Sequence, residues 1–194
     1  MDDRSAARTR FQQHDAALIV RIPEAEPAVF SWRARFDPAA SFGVPAHVTV
    51  LYPFMPRWMI DGTVLDALTG VFASWEPFES EFAQVEQLPG VIWLRTEPNR
   101  AFRALTGAVW RRWPEYPPYE GRFDDLIPHL TIAEGDGEAA KEIMASVTAH
   151  LPIRSRVAIV ELITFENDSW ATRATFPLGR GRAADASGRP TPRR

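Results

Sequence analysis

The 194-residue chain has no cysteine. That excludes a disulfide framework, thiolate nucleophiles and cysteine-ligated zinc. Long apolar runs are missing too. None approaches the ~20 residues of a membrane span, so no membrane partner is expected. The opening MDDRSAARTRF lacks the apolar stretch of a secretory signal, and the expected location is the cytoplasm. An excess of positive charge is also absent, since 22 basic residues face 25 acidic ones for a formal charge of -3. Coating nucleic acid without regard to sequence normally needs a clearly basic surface. A local arginine cleft can still serve a small anionic substrate on an acidic protein. Lysine is nearly missing, with Lys141 alone among the 22; coding bias accounts for this more simply than selection for phosphate binding. Nothing in the composition implies a stable protein partner, and a monomer is expected.

What is present is ordinary globular material, 45% hydrophobic and 24% charged, enough at this length for a sizeable core. AALIVRI (16–22) reads as a buried strand. PEAEPAVFSWRARF (23–36) follows with Val29, Trp32 and Phe36 at helical spacing. After a loop comes HVTVLYPF, and Asp61 then looks like the N-cap of a helix whose apolar face is Val64, Leu65, Leu68, Phe72 and Trp75. FESEFAQVEQL (78–88) reads as a strand whose alternation changes phase near Ala83, the mark of a bulge. Leu88-Pro89-Gly90 is a turn.

The order then repeats. VIWLR (91–95) is a strand, and Pro98 opens a helix with Phe102, Leu105, Val109 and Trp113 on one face. A long Pro-rich loop leads to HLTIAEG, then to a helix from about Gly137 with Ala140, Ile143, Val147 and Leu151 aligned. RSRVAIVELITF reads as one strand and WATRATFPL as its antiparallel partner. Residues 179–194 carry no core-forming side chains and read as a disordered tail. Both halves thus read strand, helix, histidine-bearing strand, helix, strand. The expectation is one domain, residues 1–178, made of two lobes at about 16–90 and 91–178, with exchange of strands between them left open.

Only four histidines are present, and two of them share a pattern: PAHVTV at 45–50 and PHLTIA at 128–133. Side chains alternate along a strand, so residues i and i+2 project together, about 6.6 Å apart. His47 and Thr49 therefore share one face while Val48 and Val50 share the other; His129 with Thr131, and Leu130 with Ile132, do the same. Threonine fills 12 of 194 positions. Accident would place Thr at +2 after two of four histidines in about 2% of cases, and in roughly 0.1% once the four alternate sites must be apolar. The doubled motif reads as a site.

Set side by side, the two strands offer two imidazoles and two hydroxyls, a set that suits a phosphodiester. One neutral imidazole takes a proton from an attacking hydroxyl or water, and the other, protonated, gives one to the departing oxygen. The hydroxyls donate to the non-bridging phosphoryl oxygens. This chemistry requires no metal or cofactor, and no Asp/Glu cluster or closely spaced histidine pair offers a cage.

The wording PAHVTVLYPF … PHLTIAEG resembles the paired His-x-Thr-x motifs of the 2H phosphoesterase superfamily, in its 2′-5′ RNA ligase-like, cyclic-phosphodiesterase branch. The resemblance spans about residues 16 to 178. It implies an α+β bilobal pseudo-duplicated fold, each lobe an antiparallel-rich sheet with helices on its outer face and the active-site cleft between lobes. By position it makes His47 and His129 the acid–base pair and Thr49 and Thr131 the phosphate-holding hydroxyls. The implied substrates are 2′,3′-cyclic phosphates or 2′-5′ linkages of RNA ends or small nucleotides. A non-catalytic nucleotide or RNA-end binding module using the same cleft is the rival reading.

Tyr52 and Tyr119 are the further candidates for touching substrate, the first by stacking at the end of its strand, the second from the loop before the second motif. Phe54 and Tyr116 are considered beside them, and Trp170 has packing as its default. Arg122 could reach phosphate or pair with Asp124 or Asp125. Glu134 could orient an imidazole. Arg111, Arg112 and His150 lie at helix ends, where cations meet the macrodipole favourably, and His14 lies in the N-terminal arm.

Overall fold

The computed structural model describes residues 11–122, 126–135 and 139–179. Asp124 and Asp125, the expected helix start at Gly137, and residues 180–194 of the expected tail lie outside these. Among the described residues, eight strands and five α-helices carry the fold: β1 (Ala16–Arg21), α1 (Glu26–Phe36), α2 (Pro38–Ser41), β2 (His47–Leu51), α3 (Gly62–Ala73), β3 (Phe78–Leu88), β4 (Val91–Glu97), α4 (Asn99–Arg112), β5 (His129–Glu134), α5 (Ala140–Thr148), β6 (Ile153–Val157), β7 (Ile159–Glu166) and β8 (Ser169–Pro177).

The strands form two antiparallel four-stranded sheets in the orders β2-β1-β7-β8 and β5-β4-β3-β6. The halves of the chain exchange strands: β3 joins the second sheet, and β7 and β8 join the first. The helices cross over as well, because α1 packs against β5 and α4 against β2. Thr106 of α4 donates its hydroxyl to the Val50 carbonyl at 2.7 Å, fastening helix to strand.

Local chemistry explains most boundaries. Asp61 caps α3 by accepting the Val64 N–H at 3.0 Å. The bulge expected near Ala83 is present, since the β3–β4 register jumps from Glu81↔Glu97 to Gln84↔Arg95. Gly90 closes that hairpin at φ 82°, a conformation glycine adopts without a Cβ penalty. One expectation is corrected. RSRVAIVELITF is two strands, broken at Ala158, with β6 in the second sheet and β7 in the first. A continuous β-branched run favours strand throughout, and nothing local in it marks the residue where the chain changes sheets.

One core joins both sheets, with Leu18, Val20, Val48 and Val50 from the first meeting Leu94, Leu130 and Ile132 from the second. Phe72, Phe82, Phe102 and Leu105 fill it, all fully buried. A second cluster of Phe11, Ile19, Phe42, Phe165 and Trp170 covers the other face of the first sheet. Leu130→Ala is expected to lose about 2–5 kcal/mol in urea unfolding, as a core cavity does. Leu88→Ala, at a residue 52% exposed, should stay within about 0.5 kcal/mol. Similar losses at both would mean that Leu130 is not in the core.

Candidate active site

β2 and β5 are edge strands at corresponding ends of the two sheets, and they pack against each other. Their burial alternates as the sequence pattern requires: Val48, Val50, Leu130 and Ile132 are buried, while His47, Thr49, His129 and Thr131 are half-buried. The neighbouring strands repeat the correspondence. Arg21 and Ile19 of β1 lie opposite His47 and Thr49, and Arg95 and Trp93 of β4 lie opposite His129 and Thr131. Each pairing then slips by one residue, at Val50 and at Ile132, the last position of each motif.

The imidazoles are held in the same way. His47 Nδ1 lies 2.8 Å from the carbonyl of Pro45, and His129 Nδ1 lies 2.7 Å from that of Ile127. A carbonyl can only accept, so each Nδ1 donates and each Nε2 is left as the nitrogen for proton transfer. The carbonyl two residues upstream is within reach because the chain enters each strand through that segment. In the first half α1 grips this segment: Arg33 donates to the Val44 carbonyl at 3.1 Å, and Glu26 accepts the Ala46 N–H at 2.7 Å.

The electrostatics differ between the two. Burial is the main cause that pushes the His47 pKa down from 6.5 to about 4; the Arg33 cation and the charge of His129 add to it. Arg33 is itself 3% exposed and paired with Asp37 at 2.8 Å. Burial also lowers His129, with the bond to Ile127 and the negative charge of Glu134 opposing it. Glu134 lies opposite Val91, which shares a face with Trp93 and Arg95, so it stands on the histidine side of β5.

The family model described as the 2′-5′ RNA ligase superfamily matches residues 22–169, which include both motifs. The chain belongs to that superfamily. Membership makes it a phosphoesterase in the general sense. A protein of Oceanobacillus iheyensis that bears a phosphoesterase name is 25% identical over 159 residues, covering 76% of this chain and 88% of the relative. The structure of E. coli LigT complexed with 3′-AMP superposes with a TM-score of 0.57 at 17% identity, over 86% of this chain and 99% of that one. That of TT0787 from Thermus thermophilus gives 0.56 at 18%, over 86% and 98%. At such identities the structures speak for the fold.

In this superfamily member a cavity of about 470 Å³ opens beside the motif strands, lined by Thr49 and His129. Tyr119 is on its wall. Tyr52 is elsewhere: its hydroxyl donates to Asp15 at 2.9 Å, and its ring packs in the aromatic cluster with Phe11 and Trp170. Tyr116 packs on Phe54, Arg122 pairs with Glu120, and His150 holds the Ser146 carbonyl at the end of α5. His14 meets Trp58 edge-on. Among the described residues no group of three or more His, Asp or Glu side chains is placed to hold a metal ion. No described helix is long and apolar enough to cross a membrane.

Several site neighbours went unread in the sequence. Trp93 meets the His129 ring edge-on at a centroid distance of 4.7 Å, and its buried N–H has no hydrogen-bond partner. It was legible only as a strand residue. Arg33 carried a usable signal, the i, i+4 spacing to Asp37 at a helix end.

The depressed His47 pKa has a consequence for stability. Between about pH 6.5 and about 4 the unfolded chain binds a proton there that the folded chain does not. The contribution is complete above about 6.5 and is lost as pH falls toward about 4. Urea unfolding at about pH 7 and about pH 4.5 should show a larger loss for the wild type than for His47→Gln. Equal losses would contradict the burial of that imidazole.

Proposed function

We propose that this chain is a metal-independent phosphoesterase that opens 2′,3′-cyclic phosphates, or acts on 2′-5′ phosphodiesters, of RNA ends or small nucleotides. His47 is the general base and His129 the general acid. The observation that carries this is the matched pair of imidazoles. Each is locked by its Nδ1 to a carbonyl two residues upstream, each shares a strand face with a threonine, and the two strands adjoin. The E. coli LigT structures holding 3′-AMP, ATP and NADP+ support a small nucleotide as the partner.

A cyclic phosphate is opened by water. His47 Nε2 accepts a proton from water as the water oxygen bonds to phosphorus. The bond from phosphorus to one ribose oxygen breaks, and His129 Nε2–H protonates that oxygen. Thr49 and Thr131 donate to the non-bridging oxygens as negative charge grows on them. The bound phosphate anion raises both imidazole pKa values, and the Glu134 carboxylate favours His129 as the one that keeps its proton. Arg33 disfavours the charged form of His47, as a base requires.

The test is turnover of the four nucleoside 2′,3′-cyclic phosphates in EDTA. His47→Asn and His129→Asn should each lose about 10²–10⁴-fold in kcat, and Thr49→Val and Thr131→Val about 10²–10³-fold. Wild-type turnover that vanishes in EDTA and returns with a divalent metal would overturn the mechanism. Tight nucleotide binding without turnover would favour the binding module instead.

A separate arm reads the acid. Removing the Glu134 charge lowers the His129 pKa, so Glu134→Gln should move the alkaline limb of kcat/KM to lower pH. An unmoved alkaline limb with a shifted acid limb would reverse the assignment.

A further inference from the structure

The face of the first sheet that turns away from His47 and Thr49 carries a recess of its own. Side chains alternate along β1, so Ala16 is on the opposite face from Ile19, the residue paired with Thr49. Ala16 lies opposite Thr164 of β7, and Thr164 lies opposite Ala171 of β8. Two alanines therefore flank the threonine, and their small side chains leave space above it. The recess measures about 390 Å³ and runs from Thr164 to Arg57, Arg173 and Asn167. No motif residue lines it.

Two of its polar groups lack the partner their chemistry asks for. Thr164 is 5% exposed, yet its hydroxyl makes no hydrogen bond among the described residues. A buried hydroxyl left so is costly, and valine would fill the same shape without it. Arg173 is fixed in place: it donates Nη1 to the Arg57 carbonyl at 2.9 Å and Nη2 to the Ile60 carbonyl. Carbonyls position a guanidinium without neutralising it, and among the described residues Arg173 has no carboxylate partner.

The other charges at the recess are matched. Arg57 is paired with Glu166, so the surplus positive charge is that of Arg173. Ser169 turns its hydroxyl to the Phe42 carbonyl at 3.4 Å. Asp168, on the same turn, is not among the lining residues. Asn167 precedes it at φ 51°, a left-handed conformation that asparagine tolerates, and its side-chain amide makes no hydrogen bond among the described residues.

We propose that this recess binds the phosphate group of a small phosphomonoester, at a site separate from the active site. Arg173 supplies the charge through the N–H groups its two carbonyl bonds leave free. The Thr164 hydroxyl and the Asn167 amide donate to the remaining oxygens. The volume exceeds what a phosphate fills and lies within the roughly 300–1,000 Å³ of small-molecule sites, so the organic part of the ester is held as well. Neither His47 nor His129 takes part.

Backbone amide NMR of the full chain, titrated with glycerol 3-phosphate, reads the two faces of the sheet separately. The amides of Thr164, Asn167 and Arg173 should shift along one saturable curve, and glycerol alone should leave them unmoved. Thr164→Val removes the hydroxyl and keeps the shape, so without ligand its Tm should hold or rise. Its affinity at the hairpin should fall about ten-fold, the scale of a hydrogen bond to a charged group. Arg173→Gln should fall by about ten-fold or more, and His47→Asn should leave the hairpin curve unchanged.

No saturable shift at the hairpin overturns the proposal, as does an affinity unchanged in both Thr164→Val and Arg173→Gln. A hairpin curve that coincides with that of the Thr49 and Thr131 amides and disappears in His47→Asn also overturns it, because the ester then binds at the active site alone. Acetate bound as tightly as the ester would make this a carboxylate site and overturn the phosphate assignment.

Discussion

The placement of the site follows from where two edge strands bury their apolar faces. Val48 and Val50 of β2, with Leu130 and Ile132 of β5, enter one core shared by both sheets. Fully burying a side chain of this kind is worth about 1.5–3 kcal/mol. Period-two alternation leaves His47, Thr49, His129 and Thr131 no choice but the opposite face. A one-residue slip in either strand would turn valine or leucine outward and histidine into the core. The hydrophobic effect therefore sets the register, and the register sets which polar side chains share the outward face.

Pseudo-symmetry supplies two equivalent imidazoles, and departures from it make them different. The Arg33–Asp37 pair stands near His47, whereas Glu134 shares the strand face of His129. Ile19 lies opposite Thr49, whereas the indole of Trp93 lies opposite Thr131 and against the His129 ring. Tyr52 corresponds in the motif to Glu134, yet it is committed to Asp15 and to the aromatic cluster. The segment before β2 is closed, and the one before β5 leaves a cavity. Every difference lies outside the four motif residues, and together they give the proposed reaction a direction.

The sequence made the local features legible. The apolar spacing of α4, the Asp61 cap, the bulge near Ala83 and the faces of both motif strands depend on neighbours a few residues apart. The exchange of β3 and of β7–β8 between sheets does not, because it is decided by long-range packing that leaves no periodic trace. The break at Ala158 was hidden by the same cause. The buried face of α4 carries no trace of the cavity. Arg103, Gly107 and Trp110 form a second stripe on that helix at helical spacing, and a glycine inside a helix was the signal.

The central claim is that two Nδ1-protonated imidazoles present their Nε2 atoms to one phosphate. Two-bond proton–nitrogen NMR on protein labelled with 15N-histidine reads it directly, because tautomer and protonation state have distinct nitrogen shifts. The account predicts that the neutral forms of His47 and His129 are both Nδ1–H tautomers, and that titration with one equivalent of adenosine 2′-monophosphate shifts both Nε2 resonances along the same binding curve. An Nε2–H tautomer at either residue, or a shift confined to one of them, would contradict it.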